Sequence, residues 1–360
     1  MNLEAAADLR RRSLLVAGLT GWAGATPVAA LPKKALVFPR DRGAHPDYST
    51  EWWYVTGHVK AAAQEFGFQI TFFRSRIEAT QNMRSQLAAK QLIVAHAAVT
   101  DMQGRKLHYD QLAAREGMDI ARAGLADTDL KLRQWTLQRQ GERYALKLQA
   151  QDFSFDLELA LTQATLLQGD AGLSRKGPQP EQASYYYSEP QMAVRGKLGL
   201  RGQTHEVSGK AWLDHEWSQQ MLHPQARGWD WIGMNLDDGG ALSAFQIRDH
   251  SGRPLWDGGS YRHPKVALYN FSLGEVVFKA QRHWTSPSSR AVYPVEWIVR
   301  TPADFYTVRA LLDAQELDSR ASTGMVYWEG LSELLDSNGK KVGHGYLEMT
   351  GYASPVRLQG

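Results

Sequence analysis

The sequence contains no cysteine among its 360 residues. This absence excludes a disulfide framework, a thiolate nucleophile and every metal site that relies on cysteine ligands. Several catalytic patterns are also missing. There is no Gly-x-Ser-x-Gly elbow and no phosphate-binding loop, and neither His205-Glu206 nor His215-Glu216 continues into His-Glu-x-x-His. We therefore expect the protein to use neither a metal ion nor a cofactor.

A strong charge of one sign is also lacking. The 41 Lys and Arg residues nearly balance the 38 Asp and Glu residues, which gives a formal net charge of +3, and the two signs are interspersed. The sequence has no basic stripe of the kind that nucleic-acid binding requires. Aromatic residues, by contrast, are plentiful: 12 Trp, 14 Tyr and 11 Phe, many of them in strand-like runs. Such runs indicate a large β core or a site for an apolar ligand.

The first 30 residues have the pattern of a signal peptide. Arg10-Arg11-Arg12 precedes Leu14-Leu15 and a Gly- and Ala-rich apolar stretch, which ends in Pro27-Val28-Ala29-Ala30. The stretch is too short for a transmembrane helix. Paired arginines followed by leucines are typical of a twin-arginine signal, which a receptor reads to export folded proteins. We therefore expect cleavage near Ala30 and a periplasmic or otherwise exported protein with at most peripheral membrane contact.

Short segments with alternating apolar side chains predict an all-β protein. Residues 65–74 alternate as a half-buried strand does, and similar segments follow at residues 92–100, 130–137, 144–150 and 153–161. Turns that contain Gly or Asp separate several of these segments, which is typical of an antiparallel sandwich or barrel. Only residues 109–123 and 311–317 favour short helices.

An internal repeat predicts two domains. An ungapped shift of 177 residues places Trp52 on Trp229, Tyr54 on Trp231, and residues 68–70 on residues 245–247. Each copy contains two strand-like segments joined by a turn, so a duplicated β domain explains the match. Residues 169–190 are rich in turn-forming residues and have the character of a linker. We therefore predict an N-terminal domain at residues 31–190 and a C-terminal domain at residues 191–360.

A carboxylate directly precedes three aromatic residues in the run Glu51-Trp52-Trp53-Tyr54. In a strand, Trp52 and Tyr54 share one face, while Glu51 and Trp53 share the other. Both faces carry aromatic rings, so both are expected to be covered, as in a barrel strand with ligand inside and packing outside. An ordinary core strand with a solvated Glu51 is the alternative. The second copy has neither this acid nor this second Trp, which makes Glu51 and Trp53 the functional candidates of the run.

The run Trp212-Leu213-Asp214-His215-Glu216-Trp217 is a second candidate site. On a strand, Asp214 and Glu216 share one face, and His215 lies on the other with Trp217. An imidazole between aromatic walls can act as a general acid or base, because burial and a nearby carboxylate move its pKa across neutrality. The alternative is a structural hydrogen-bond network at the end of a strand.

Other residues are candidates for lining a ligand site. His96 alternates with apolar neighbours, which indicates a core or lining histidine and not a catalytic one. Tyr187 ends the run Tyr185-Tyr186-Tyr187, which belongs either to a packed linker or to a lid over an apolar pocket. Trp229 and Trp231 repeat the aromatic spacing of the first half.

Three runs together resemble the AttH/CrtC family: Glu51-Trp52-Trp53-Tyr54-Val55-Thr56-Gly57, Ala211-Trp212-Leu213-Asp214-His215-Glu216-Trp217 and Gly345-Tyr346-Leu347-Glu348-Met349-Thr350-Gly351-Tyr352. That family contains exported predicted hydrolases linked to ABC-transporter operons, and acyclic carotenoid 1,2-hydratases. The resemblance covers nearly the whole chain after the signal peptide. It implies two lipocalin-like antiparallel β-barrel domains that pack together, with few short helices.

The resemblance implies two functional hypotheses. The first is an exported protein that binds a long apolar, isoprenoid- or lipid-like ligand at or near the interface of the barrels, with an ABC-transporter permease as partner. The second is a cofactor-free hydratase of acyclic carotenoids, or another hydrolase or lyase acting on a polyene or lipid. In a hydratase an acid protonates an alkene and aromatic faces stabilise the resulting cation. The catalytic candidates are Glu51, Asp214, His215 and Glu216, and the ligand-binding candidates are Trp53, Tyr54, His96, Tyr187, Trp217, Trp229 and Trp231.

Overall fold

The computed structural model describes residues 30–85 and 87–356. All but the last residue of the predicted signal peptide therefore lies outside the described residues. Within them, the chain forms 25 β-strands and two three-residue 3-10 helices, Arg40–Arg42 and Glu78–Thr80. No helix in these ranges is long and apolar enough to cross a lipid bilayer.

Two antiparallel sheets contain almost all of the strands. The first sheet consists of β1 (Thr50–Ala61), β2 (Gln64–Arg76), β3 (Gln91–Asp101), β4 (Lys106–Arg115), β5 (Ala121–Ala123), β6 (Asp129–Leu132), β7 (Trp135–Gln140), β8 (Arg143–Gln149), β9 (Phe153–Ala160), β10 (Leu166–Leu167), β11 (Leu173–Arg175), β12 (Ala183–Leu200) and β13 (Gln203–Ser218). The second consists of β14 (Ala226–Leu236), β15 (Ala241–Asp249), β16 (Pro254–Arg262), β17 (Tyr269–Asn270), β18 (Val277–Ala280), β21 (Glu296–Arg300), β22 (Phe305–Ala310), β23 (Glu316–Ser319), β24 (Met325–Leu335) and β25 (Lys341–Met349). A separate hairpin joins β19 (His283–Thr285) and β20 (Val292–Pro294).

Each sheet wraps around its own apolar core. The first runs in the order β4-β3-β2-β1-β13-β12-β9-β8-β7-β6-β5, and contacts of β3 and β4 with β5 and β6 bring its two edges together. The second runs in the order β17-β16-β15-β14-β25-β24-β22-β21-β18. The predicted fold class, all-β with two packed lipocalin-like barrels, is confirmed. Both helix predictions are wrong: residues 106–115 pair along their whole length with β3, and β23 begins within the other segment.

The division between the sheets does not fall at residue 190 as predicted. Strands β12 and β13 both belong to the first sheet, so the chain passes to the second sheet between Ser218 and Ala226. The aromatic residues 183–190 are not part of a linker. They form the first half of β12, which pairs with β13 over most of its length.

The duplicated hairpin is present as β1–β2 and β14–β15, but its ungapped alignment fails in the second strand. Tyr54 lies opposite Thr71, whereas Trp231 lies opposite Phe245. The structural counterpart of Phe245 is therefore Thr71 and not Phe68, an offset of three residues. Because successive side chains of a strand alternate in direction, an odd offset reverses the face. Accordingly, Phe68 fills the first barrel, while Phe245 lies in the apolar cluster between the barrels.

Both barrels bury an arginine–carboxylate pair between corresponding strands. Arg74 Nε lies 2.7 Å from Glu51 Oε2, and Arg248 Nε lies 2.7 Å from Asp230 Oδ2. Nη2 of each guanidinium also donates to backbone carbonyls, and Arg74 Nη1 donates to the side-chain oxygen of Gln91. A buried charge is tolerated only when it is paired and hydrogen-bonded, so these pairs are expected to be essential to each barrel.

We expect Arg248→Met to lower the free energy of unfolding by about 3–5 kcal/mol, because Asp230 would keep its buried charge without a counter-ion. Urea unfolding followed by tryptophan fluorescence measures this change. Arg143→Met is the matched control, since the Arg143–Glu158 pair is solvent-exposed and is expected to contribute at most about 1 kcal/mol. Equal losses in the two variants would contradict the structural role assigned to Arg248.

Candidate functional site

An open cavity of about 640 Å³ lies between the two barrels. Its first wall is the outer face of β1, β2, β3, β12 and β13, and its second wall comes from β14, β15, β24 and β25. Apolar and aromatic side chains dominate the lining, among them Trp52, Tyr54, Phe73, Ile77, Leu92, Val94, Met221, Leu222, Trp229, Trp231, Phe245, Ile247, Met325 and Tyr327. A volume of this size is typical of sites for small organic ligands.

The alternation of β1 sends its aromatic residues to two different places. Trp52 and Tyr54 line the cavity between the barrels. Glu51 and Trp53 point into the first barrel, where both are fully buried. The expectation of a ligand inside the barrel is therefore wrong, because large side chains fill that interior. The cavity lies on the outer face, which was expected to be only packed.

The Asp214-His215-Glu216 run is divided in the same way. Asp214 and Glu216 line the cavity, whereas His215 points into the first barrel. There the imidazole stacks on Trp53, with ring centroids 4.4 Å apart. The three residues are consecutive in sequence but do not form one site.

Asp214 accepts three hydrogen bonds in the wall of the cavity. Ser188 Oγ donates over 2.5 Å, Trp212 Nε1 over 2.7 Å and Tyr186 Oη over 2.8 Å. Burial nevertheless raises the pKa of Asp214 to about 7, since desolvation outweighs these donors and Glu216 adds a like charge. Asp214 therefore changes its protonation state near neutral pH.

Glu216 has a cation beside it. Lys176 Nζ lies 3.1 Å from Glu216 Oε1, and the Ser184 hydroxyl donates to the same oxygen. The Lys176 ammonium also lies 4.1 Å from the centroid of the Phe245 ring and 4.8 Å from that of Tyr186. This pairing and the cation–π contacts satisfy the charge of both groups.

Two further carboxyl groups reach the cavity from the second barrel. Glu348 accepts a hydrogen bond from Trp229 Nε1 over 2.9 Å, and burial raises its pKa to about 7. Burial, together with the charge of Glu348, raises the pKa of Glu329 well above its ordinary value. Gln69 Nε2 donates to Glu329 Oε2 over 3.1 Å, and the Tyr54 hydroxyl lies within hydrogen-bonding reach of the same carboxyl group; both contacts oppose the rise of its pKa.

Glu51 is the centre of a separate network inside the first barrel. His45 Nδ1 lies 2.7 Å and His215 Nε2 lies 2.8 Å from Glu51 Oε1, while Arg74 contacts the other oxygen. The His45 ring stacks on Trp217, with centroids 3.8 Å apart. Although desolvation opposes it, hydrogen bonds from the two histidines hold the pKa of Glu51 well below its ordinary value. Burial lowers the pKa of His215 to about 4.

His45, Glu51 and His215 are also the residues best arranged to hold a metal ion in the described part of the chain, with ligand atoms within 4.8 Å of one another. Each of these atoms already takes part in a hydrogen bond. The Arg74 guanidinium supplies the positive charge that a cation would supply. The donor set therefore fits a charge-balanced hydrogen-bond network better than a metal centre.

The remaining candidates are distributed over both regions. Trp229 and Trp231 line the cavity, as does Tyr54. Tyr187 lies in the core of the first barrel, where its hydroxyl is 3.1 Å from His215 Nδ1. His96 lies beside the cavity, with its ring nitrogens 2.9 Å from Tyr327 Oη and 2.8 Å from Ser322 Oγ.

Sequence reasoning missed four polar residues of the cavity: Lys176, Tyr186, Glu329 and Glu348. Glu348 stands in the closing motif Gly345–Tyr352, so the resemblance offered a signal for it. Tyr186 shares the aromatic run with Tyr187, and strand alternation would have separated the two faces. Glu329 and Lys176 carry no motif. Glu329 is recognisable only through Gln69 of the other barrel, and Lys176 only through its pairing with Glu216, which is distant in sequence.

Comparisons with known proteins agree with this architecture. A family model described as AttH-like matches residues 29–352. The crystal structure of a protein assigned as AttH from Nitrosomonas europaea is 45% identical, covers 90% of this chain and 99% of its own, and superimposes with a TM-score of 0.84. A sequence comparison with functionally curated proteins finds no match.

Two more distant solved structures share the fold. Kievitone hydratase from Nectria haematococca is 13% identical, with a TM-score of 0.67 and coverage of 91% of this chain and 98% of its own. CghA is also 13% identical, with a TM-score of 0.51 and coverage of 91% and 95%. At such identities the likeness concerns the fold alone. The family match over most of the chain and the closely related AttH structure show that this protein belongs to the AttH-like family.

Proposed function

We propose that the cavity between the barrels binds a long apolar, unsaturated ligand and catalyses the addition or removal of water at a carbon–carbon double bond. The observation that carries this proposal is Glu329. It is a buried carboxyl group that lines an aromatic cavity, and burial raises its pKa well above the ordinary range. Burial favours the protonated form of such a group, which then has a proton to donate.

The composition of the cavity separates a catalyst from a passive carrier. Binding an apolar molecule requires only the aromatic and aliphatic lining. Burying four carboxyl groups in that lining costs free energy and contributes nothing to apolar binding. Their presence is expected of a site that handles protons. The structural likeness to a protein named as a hydratase supports this choice at the level of the fold.

In the proposed hydration, Glu329 transfers its proton to one carbon of the double bond. The π electrons form the new C–H bond, and the other carbon becomes a carbocation. Faces of Trp52, Trp229 and Trp231 line the cavity and would stabilise this positive charge. A water molecule then adds to the cation and returns a proton to the Glu329 carboxylate, which restores the acid.

We expect Glu329→Gln to reduce turnover at least about 100-fold while leaving ligand binding nearly unchanged, because the amide keeps the shape but has no acidic proton. Purified protein is incubated with acyclic carotenoids and with the C15 alkene β-farnesene, and tertiary alcohols are detected by mass spectrometry. Glu333→Gln is the matched control on the same strand, since Glu333 pairs with Arg309 away from the cavity.

Two outcomes of this experiment contradict the proposal. Equal turnover in wild-type protein and the Glu329→Gln variant would remove Glu329 as the acid. Tight binding of these compounds without any alcohol formation in the wild-type protein would show that the cavity serves a carrier and not an enzyme.

The protonated carboxyl groups also predict how stability depends on pH. Burial raises the pKa of Asp214 and Glu348 from 3.8 and 4.5 to about 7, so the folded state binds more protons than the unfolded state between these limits. Their contribution to the free energy of unfolding is complete below their ordinary pKa values and is lost as pH rises through about 7. The lowered pKa of Glu51 affects the free energy of unfolding only below about pH 4.5, the ordinary pKa of this group.

We therefore expect Tm to fall from about pH 7 to about pH 8. Below about pH 6.5 the wholly or partly buried His96, His215 and His344 oppose this trend, because burial lowers their pKa from 6.5 to about 4. Differential scanning calorimetry measures this dependence. Glu348→Gln should flatten the curve, because a neutral amide removes one titrating group, whereas Glu333→Gln should leave its slope unchanged. A Tm that rises over this range would refute the protonation states assigned to the cavity.

We also propose that the protein is exported through a twin-arginine signal and that an ABC-transporter permease is its partner. The proposal of this partner rests on the family resemblance alone. Replacing both Arg11 and Arg12 by Lys keeps the charge but removes the pair that the receptor reads. We expect the double variant to accumulate inside the cell, whereas wild-type protein appears in the periplasmic fraction. Unchanged export on immunoblots of cell fractions would contradict a twin-arginine signal.

A further inference from the structure

A second cavity, of about 370 Å³, lies between the barrels, and the described residues that line it all differ from those of the first cavity. Its walls come mainly from β1 and β13 of the first barrel and from β14 and β25 of the second. On β1, the face that presents Trp52 and Tyr54 to the first cavity presents His58 and Lys60 to the second. The character of this face therefore changes from aromatic to basic along one strand.

We call the second cavity the basic cleft, because five basic side chains line it: His58, Lys60, Lys210, Lys341 and His344. Asp237 is the only carboxyl group among the described residues of the lining. Glu65 lies beside it, with Lys60 Nζ 2.6 Å from one of its oxygens and His58 Nε2 3.2 Å from the other. Lys210 and Lys341 form no ion pair with any described residue. The cleft therefore holds more positive than negative charge.

The basic groups of the cleft come from both barrels and lie close together. His58 lies directly opposite Lys210 in the pairing of β1 with β13. Its ring centroid is 4.4 Å from that of His344, which belongs to β25 of the second barrel. Basic groups at such distances repel one another when they are charged. An anion placed among them would remove this repulsion and would hold the two barrels together.

The electrostatics of the two histidines agree with a site that lacks its anion. Burial lowers the pKa of His58, and the charges of Lys60 and Lys341 add to the shift, although Glu65 opposes it. Burial also lowers the pKa of His344 to about 4, and His58 and Lys341 contribute to this decrease. The other charged groups near these rings are Lys210 on β13, Asp237 after β14, and Glu333, which lies opposite His344 on β24 and pairs with Arg309. A bound anion would favour the charged form of both histidines and raise their pKa.

We propose that the basic cleft binds a tetrahedral oxyanion, of the kind carried by inorganic phosphate, by a phosphorylated small molecule or by a phospholipid headgroup. Lysine binds phosphate as a point charge, and the hydroxyl-bearing Thr56 and Ser208 also line the cleft. Cations from three strands surround the space, so an anion with oxygens in several directions fits it better than a planar carboxylate does. The site is separate from the proposed reaction, since the two cavities share no described lining residue.

Isothermal titration calorimetry at constant ionic strength tests the site, with sulfate, inorganic phosphate and acetate as probes. We expect wild-type protein to bind sulfate at least about tenfold more tightly than acetate. The double variant Lys210→Gln/Lys341→Gln should weaken sulfate binding roughly tenfold. Lys106→Gln/Lys279→Gln is the matched control, because it removes the same charge from two exposed lysines outside the cleft and should leave binding nearly unchanged.

The dependence of sulfate binding on pH tests the histidines. Sulfate keeps its charge between about pH 8 and about pH 5.5, so any change in affinity over this range comes from the protein. We expect sulfate to bind severalfold more tightly at the lower pH, because the occupied cleft takes up protons on His58 and His344. The double variant His58→Gln/His344→Gln should lose this dependence. It retains Asp214 and Glu348, so a dependence caused by those acids would remain.

Vesicles distinguish the two sources of the oxyanion. If a lipid headgroup is the ligand, wild-type protein sediments with phosphatidylglycerol vesicles but not with phosphatidylcholine vesicles, and Lys210→Gln/Lys341→Gln abolishes this sedimentation. If the ligand is soluble, the protein remains in the supernatant with both kinds of vesicle, and inorganic phosphate competes with sulfate in the calorimeter. Each of these results supports the site and assigns its source.

Three results would overturn the inference in whole or in part. Wild-type protein that binds neither sulfate nor phosphate at millimolar concentrations has no oxyanion site. Equal weakening by the two lysine double variants would show a general effect of surface charge and no site in the cleft. Sulfate affinity that does not change with pH would remove His58 and His344 from the site. None of these results affects the proposed hydration, which is tested separately through Glu329.

Discussion

Burial of both faces of β1 and β13 is the constraint on which the rest of the structure depends. One face of each strand belongs to the core of the first barrel, and the other face meets the second barrel. The alternating direction of side chains therefore assigns neighbouring residues to two different environments. Glu51 and His215 enter a packed interior, while Tyr54 and Asp214 enter a cavity. Every polar residue in the buried parts of these strands, which are residues 50–57 of β1 and 211–218 of β13, must satisfy one of these two environments.

The two environments treat carboxyl groups in opposite ways. Inside the first barrel, Glu51 is ionised, since two imidazoles and the Arg74 guanidinium surround it. In the cavity, Asp214 has hydrogen-bond donors but no cation, and burial favours its neutral form. Glu51 is thus ionised in a packed interior, whereas the neutral form of Asp214 is favoured in the cavity. Glu216 is the exception in the cavity, because Lys176 pairs with it. This division is a familiar way for one protein to carry acids with separate roles.

Much of the fold could be predicted from the sequence, because alternating apolar residues and turn residues determine strands locally. The limits of the prediction are equally physical. Residues 183–190 were predicted to belong to a linker. Their aromatic side chains indicate burial, but the sequence does not show which sheet buries them. The ungapped repeat wrongly aligned Phe245 with Phe68. Sequence similarity between two strands does not reveal the register in which each strand pairs with its neighbour.

The site was only partly predictable for a related reason. Local motifs identified Asp214 and Glu216. Which face of their strand lines the cavity, however, depends on where the second barrel packs against the first. Glu329 and Gln69 stand in no motif, and they become a pair only because β24 packs against β2. Contacts between distant parts of the chain create such groups, and they leave no pattern along the sequence.

A cavity with one wall from each barrel also has a mechanical consequence. Any molecule that binds there contacts both barrels at once, so its binding free energy is added to the free energy that holds them together. Mass action then stabilises the joined arrangement in proportion to the logarithm of the ligand concentration. In a cell, the occupied protein would resist opening and proteolysis more strongly than the empty protein, in which only direct contacts such as the shared apolar cluster join the barrels.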